Sequence, residues 1–153
     1  MSVQGLDVVL KEHPFLEGLD HEYLKLLTGC AKNVRYGVGE YLWREGQAAD
    51  NFYLIRAGQL ALEIYIPQRG ELRIETVGEG EVLGWSWMLR PYKWHFDARA
   101  VGDVRAIEID ARCIRNKAQE DKAFGYEVLM RFSGVMQERL EATRLRVLDL
   151  YSK

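Results

Sequence analysis

Glycine recurs at short intervals through the middle of this sequence, and that recurrence restricts the fold more than any other feature. Between Lys32 and Asp110 its positions include Gly37, Gly39, Gly46, Gly58, Gly70, Gly78, Gly80 and Gly84. The runs between these corners are short and alternate apolar with polar residues. Gln59 to Ile66 reads QLALEIYI, with Leu60, Leu62, Ile64 and Ile66 on one side of the alternation. Period two marks a half-buried strand. Pro67-Gln68-Arg69-Gly70 supplies a turn and Glu71 to Val77 (ELRIETV) alternates again, so the two runs predict a hairpin. Val104 to Ile109 (VRAIEI) is a further alternating run. Many short strands with tight corners predict a sandwich or a barrel-like roll.

Helical periodicity flanks this region on both sides. Leu6, Val9 and Leu10 share a helical face, and His13-Pro14 interrupts the run because proline disfavours helix in the residue before it. Asp20 is placed to cap a second helix whose buried side is Tyr23, Leu24, Leu26 and Leu27, ending at Gly29. Beyond the strands, Asp110 caps a short helix over 111–119, and a long helix runs from about Lys122 to Tyr151. Along it Leu129, Phe132, Met136, Leu140, Thr143, Val147 and Leu150 are three or four residues apart, a narrow seam of heptad-like spacing. Glu138, Arg139, Glu141, Arg144 and Arg146 lie mostly off it. The expectation is a single α+β, mainly β, domain: N-terminal helices over 1–31, a β-roll over 32–110 and C-terminal helices over 111–153.

Composition removes several classes. A chain of 153 residues with 48% apolar and 29% charged residues is globular rather than disordered. The net charge of −2 excludes a broadly basic nucleic-acid or membrane-surface protein. No apolar run approaches the roughly 20 residues that span a bilayer. The N-terminus MSVQGLDVVLKEH has no basic region, so a secretory signal is not expected and the cytoplasm is. Cys30 and Cys113 read as reduced, free thiols. Of three histidines only His95 lies in the roll, too few for a cupin metal site. No P-loop, nucleophile elbow or dinucleotide fingerprint is present. No enzyme activity, metal or cofactor is expected.

Several ordered stretches resemble the cyclic-nucleotide-binding domain of the Crp/Fnr superfamily. They are Gly39-Glu40, Arg44-Glu45-Gly46, Asp50-Asn51-Phe52-Tyr53-Leu54-Ile55 with Gly58, Gly80-Glu81-Val82-Leu83-Gly84, Arg99-Ala100, and Leu129-Met130-Arg131-Phe132-Ser133 through Thr143. The likeness spans about Phe15 to Leu150. It implies a double-stranded β-helix, or jelly-roll, with flanking N-terminal helices and a long dimerisation helix. It also implies a phosphate-binding cassette between Gly84 and Arg99.

This cassette departs from the pattern that the resemblance implies. Nucleotide-binding members carry a glutamate for the ribose, and an arginine followed by serine or threonine for the phosphate. Here Trp85 stands at the glutamate position and Trp94-His95 at the later pair, with Lys93 one residue away. Lysine lacks the planar fork of arginine. Thr143 falls where a hydroxyl meets the adenine, and Arg144 where a second hydroxyl comes across the dimer. Three of the four tryptophans, with Tyr92 and Phe96, lie between Gly84 and Phe96. Rings at that density line a pocket, plug it or form a contact patch. Trp87 and Phe96 are the expected core members; Asp97 is placed to orient His95.

The expected function is a stand-alone regulatory or sensor module. It binds a small effector, not cyclic AMP or cyclic GMP tightly, or a protein partner. The candidate ligand-binding residues are Gly84, Trp85, Ser86, Tyr92, Lys93, Trp94, His95 and Thr143. A homodimer is expected through the seam from Leu129 to Leu150. DNA and membrane are not expected partners, since the sequence ends at Lys153 without a recognition helix. Two alternatives stay open: a cyclic-nucleotide binder with a reorganised cassette, and an interaction module whose pocket is filled.

Overall fold

The computed structural model describes residues 5–152. Met1 to Gln4 and Lys153, part of the expected N- and C-terminal helical segments, lie outside the described residues. Two short helices, α1 (Leu6–Glu12) and α2 (His21–Thr28), come first. Strands β1 (Ala31–Tyr36), β2 (Tyr41–Trp43), β3 (Asn51–Ala57), β4 (Leu60–Ile66), β5 (Gly70–Val77), β6 (Val82–Leu83), β7 (Asp97–Ala100) and β8 (Val104–Asp110) follow. The chain closes with α3 (Ala111–Glu120) and α4 (Lys122–Tyr151). One sheet has the order β1-β8-β3-β6 and the other β2-β7-β4-β5. This is the expected jelly-roll with its long C-terminal helix.

Local chemistry sets the boundaries. Asp20 caps α2 by accepting from the amide of Glu22, and Asp110 caps α3 by accepting from Arg112 and Cys113. Asp121 ends α3 and caps α4, accepting from the amide of Phe124 at 3.1 Å. Each such cap satisfies a donor that the first helical turn leaves without a partner. The predicted hairpin forms as β4 against β5, pairing Leu60 with Val77 and Ile66 with Gly70. The predicted alternation holds only in the second half of β4. Leu60 to Glu63 are buried on both faces, because Glu63 carries a forked ion pair with Arg99 at 2.9 and 2.8 Å.

The roll interior is closed at one end by rings. Phe132 of α4 meets Phe52 edge-on at 5.0 Å and Phe15 at 4.9 Å, and Trp87 lies flat on Phe52 at 4.9 Å. Burial of one phenylalanine contributes about 1.5–3 kcal/mol. Phe132 therefore anchors α4 to its own roll. At Gly125 an added Cβ would stand 2.9 Å from Cβ of Ala118, so glycine there is what lets α4 pack this closely on α3.

The cysteines require a correction. Cys30 and Cys113 are joined in a disulfide, with Cα atoms 5.8 Å apart across a sequence separation of 83. Pairing of β1 with β8 sets Ala31 opposite Ile109 and carries Cys30 to the start of α3. The amide of Asp110 donates to the carbonyl of Cys30 at 2.8 Å, and the first turn of α3 brings Cys113 back to it. Distance along the chain concealed this proximity. The cysteines consequently give no support to a reducing compartment.

His13 lies beneath the roll, 5% exposed. Nδ1 accepts from the amide of Phe15 at 3.2 Å, and Nε2 stands 3.1 Å from the carbonyl of Ile55. Only the neutral ring with its proton on Nε2 satisfies both contacts. Burial lowers its pKa below the ordinary 6.5; the Ile55 carbonyl opposes this and Arg56 reinforces it. The unfolded chain thus takes up the proton first. The stability His13 contributes is complete above 6.5 and is lost as pH falls through the folded value. The melting temperature is expected to drop between pH 7.5 and pH 5, and His13→Gln to remove part of that drop; equal slopes in both proteins would contradict this role.

Candidate functional site

From Gly84 the chain makes one short 3-10 turn, Ser86–Met88, and returns to the sheet at Asp97. Gly84 has φ +99°, and a Cβ there would meet Cη2 of Trp94 at 2.6 Å. Both the dihedral and the space demand glycine. The ring that presses on Gly84 is stacked on Trp43, with centroids 3.6 Å apart and an interplanar angle of 8°. Trp43 in turn donates from Nε1 to the carbonyl of Phe96 at 2.7 Å. The backbone of Trp94 is stitched to the β2–β3 loop: its amide donates to Gln47, and its carbonyl accepts from Gly46. Trp94 is only 3% exposed.

Beside this stack lies a cleft of about 730 Å³ between α4 and the sheet containing β4 and β5. Leu62, Leu72, Ile74, Phe96, Met136 and Leu140 form its apolar wall, and Trp85 and Thr143 also line it. Its charged lining is Arg73, Arg139 and Arg146 against Glu75. The Arg139 guanidinium lies 4.9 Å from the centroid of the Trp85 ring, with Nε 3.6 Å from a Glu75 carboxylate oxygen. It also donates to the carbonyl of Val82. Burial pushes this guanidinium below its ordinary value, while Glu75, Glu81 and Glu138 pull it back up. Arg146 donates from Nη1 to the carbonyl of Ile74 at 2.7 Å.

The expected site residues separate into three groups. Trp85 and Thr143 face the cleft, although the Thr143 hydroxyl is spent on the carbonyl of Arg139 at 2.9 Å. Gly84, Ser86 and Trp94 are buried. Trp94 is thus a core residue rather than a recognition surface, because Trp43 covers one of its faces. Tyr92 lies under Arg115, whose guanidinium stands 4.3 Å from the ring centroid, on the α3 side of the molecule. Lys93 and His95 are exposed. The expected His95–Asp97 pairing does not form: Asp97 is buried and accepts from the amide of Glu45 at 2.7 Å. Trp87 is core, as expected, and Phe96 is partly buried beside the cleft.

The seam residues divide as well. Phe132 is fully buried inside its own chain, which corrects its place in a dimer interface. Met136 lines the cleft, and Leu129, Leu140, Val147 and Leu150 are exposed. Arg139 and Arg146, read as lying off the seam, are turned toward the roll by the carbonyls of Val82 and Ile74. The signal that could have found Arg139 is its position one helical turn before Thr143. Among the described residues no group of three or more His, Cys, Asp or Glu side chains is placed to hold a metal ion.

The two tryptophans should behave differently. Trp94→Ala removes a fully supported ring and is expected to cost about 3–5 kcal/mol in a urea melt. Trp85→Ala, at the edge of the cleft, is expected to cost less than half as much. Equal losses would contradict the division into core and cleft.

The comparisons with known proteins point one way. No curated protein matches the chain significantly. Among solved structures, a cyclic nucleotide-binding domain from Methylobacillus flagellatus is similar with a TM-score of 0.82 at 19% identity, covering 97% of this chain and 87% of its own. A Geobacter metallireducens protein designated as cyclic nucleotide-binding has a TM-score of 0.79 at 23% identity, over 91% and 99% of the two chains. The sensor domain of the transcriptional regulator DNR from Pseudomonas aeruginosa has a TM-score of 0.71 at 19% identity, over 90% and 95%. These likenesses establish the fold, and residues 33–121 match the family model of the cyclic nucleotide-binding domain. That match takes in more than half of the chain and bears out the resemblance read from the sequence: the chain belongs to the cyclic nucleotide-binding domain family.

Proposed function

We propose that this chain is a regulatory sensor module whose effector enters the cleft between α4 and the sheet of β4 and β5, and that the effector is not cyclic AMP or cyclic GMP. The observation that carries this reading is the Trp94 ring lying on Gly84 beside an open apolar cleft. The family pattern requires an arginine at the Trp94 position to pair with phosphate and a glutamate at Trp85 to hold ribose. Tryptophan offers neither a charge for the phosphate nor an acceptor for the ribose hydroxyl. Moving Trp94 aside would break its stack on Trp43. Aliphatic and aromatic side chains form the larger part of the remaining wall, which favours an effector with an apolar body.

Calorimetry with cyclic AMP and cyclic GMP is expected to show no binding at micromolar concentration. A dissociation constant of about 1 μM, or −8 kcal/mol, for either nucleotide would overturn this reading and establish a reorganised cassette in its place.

The same module is proposed to work as a homodimer. Beyond Met136, α4 stays tied to the roll through Arg139 and Arg146 and leaves Leu140, Val147 and Leu150 exposed on one stripe. A second copy of α4 pairs with such a stripe by burying it. Sedimentation at tens of micromolar is expected to give a dimer, and Leu140→Asp with Val147→Asp a monomer. A wild-type monomer under those conditions would end the proposal.

A further inference from the structure

The charges around the cleft are unequal. Three guanidinium groups line it against one carboxylate, Glu75. Glu75 faces Arg139, at 3.6 Å. Arg146 hydrogen-bonds to a backbone carbonyl, and among the described residues no carboxylate stands within 4.0 Å of it. Arg73 sits on β5 opposite Glu63, but the Glu63 carboxylate is held in a fork by Arg99 at 2.9 and 2.8 Å. Among the described residues, therefore, neither Arg73 nor Arg146 has a carboxylate within 4.0 Å, and the Glu63 carboxylate that feels the Arg73 charge is already held by Arg99. The rest of the lining is apolar or aromatic except Thr143, whose hydroxyl is spent on the carbonyl of Arg139. Such a surface matches one kind of molecule, with a bulky apolar part and a single acidic end.

Building on the effector-cleft reading above, we propose that the effector is an amphipathic organic anion. Its apolar body packs against Leu62, Phe96 and Leu140, and its carboxylate meets Arg146 on α4 and Arg73 at the rim. A planar guanidinium takes a carboxylate in two parallel hydrogen bonds, and desolvation by the apolar walls strengthens that contact. A neutral amide of the same shape offers the guanidinium groups one uncharged acceptor in place of a two-oxygen anion. The acid end is thus what selects the effector, and the body decides only how much of the cleft is filled.

The test uses two acid probes, 2-naphthylacetate and decanoate, each beside its primary amide, in calorimetry and thermal-shift measurements on the whole chain. One or both acids are expected to bind at least about tenfold more tightly than the matching amide, as a charge-assisted bond allows. Arg146→Met and Arg73→Gln are expected to erase the preference for acid over amide. The exposed Arg73→Gln keeps the test open should Arg146→Met fold poorly. Binding of naphthylacetate alone identifies an aromatic acid, and binding of decanoate alone an acyl chain. Amides bound as tightly as acids, with both lost in Trp85→Ala, would overturn the anion and leave the cleft reading standing. No saturable binding of either acid up to millimolar concentration would overturn the anion as well. Micromolar binding of a cyclic nucleotide would instead bring down the cleft reading itself.

Discussion

The stack of Trp94 on Trp43 is the contact on which the rest of this molecule turns. It fixes the return path of the segment after Gly84, because the ring occupies the only space a Cβ at Gly84 would need. It fills the end of the roll where the family pattern calls for a charge. With that end filled, the proposed place for an effector is the cleft on the flank of the stack, under α4.

Helix α4 holds its place over that cleft by a mixed mechanism. Near its start, Phe132 sinks into the ring cluster of Phe15, Phe52 and Trp87. Farther along, arginines take over. Arg131 donates to the carbonyls of Phe15 and Glu17, Arg139 to Val82 and Arg146 to Ile74. These carbonyls lie where chain segments end or bend and lack a ladder partner on that side. The hydrophobic anchor is strong and does not depend on salt. The guanidinium contacts are individually modest and compete with anything that offers them a better acceptor.

Much of this fold was legible in the residues. The two C-terminal helices, the hairpin of β4 and β5 and the caps at Asp20 and Asp110 follow from period and capping chemistry, which are local. What sequence did not show was long-range. Nothing local marks Trp43 as the partner of Trp94, since 50 residues and the four strands β3 to β6 intervene. The same blindness hid the disulfide, which depends on the register of β1 against β8. Arg139 and Arg146 were misplaced for a related reason. A charge on a helix reads as solvent-facing unless the carbonyl that receives it is known. Trp94, a ring expected to recognise a ligand, is packed in the core, and its stack on Trp43 is likewise a long-range contact.

The crosslink between Cys30 and Cys113 encloses every strand of the molecule, since β1 begins at Ala31 and β8 ends at Asp110. The roll is therefore a covalent ring even when unfolded, and α1, α2 and α4 are tails attached to it. Closing a ring of this size restricts the denatured chain by about 4.5 kcal/mol in a chain-entropy treatment. That restriction acts on the strands and leaves α4 untouched. The two walls of the cleft thus belong to different topological objects, one a loop without free ends and the other a free arm. The crosslink therefore does nothing to hold the arm, and only side-chain contacts, led by Phe132 in its cluster with Phe52 and Trp87, keep α4 over the ring.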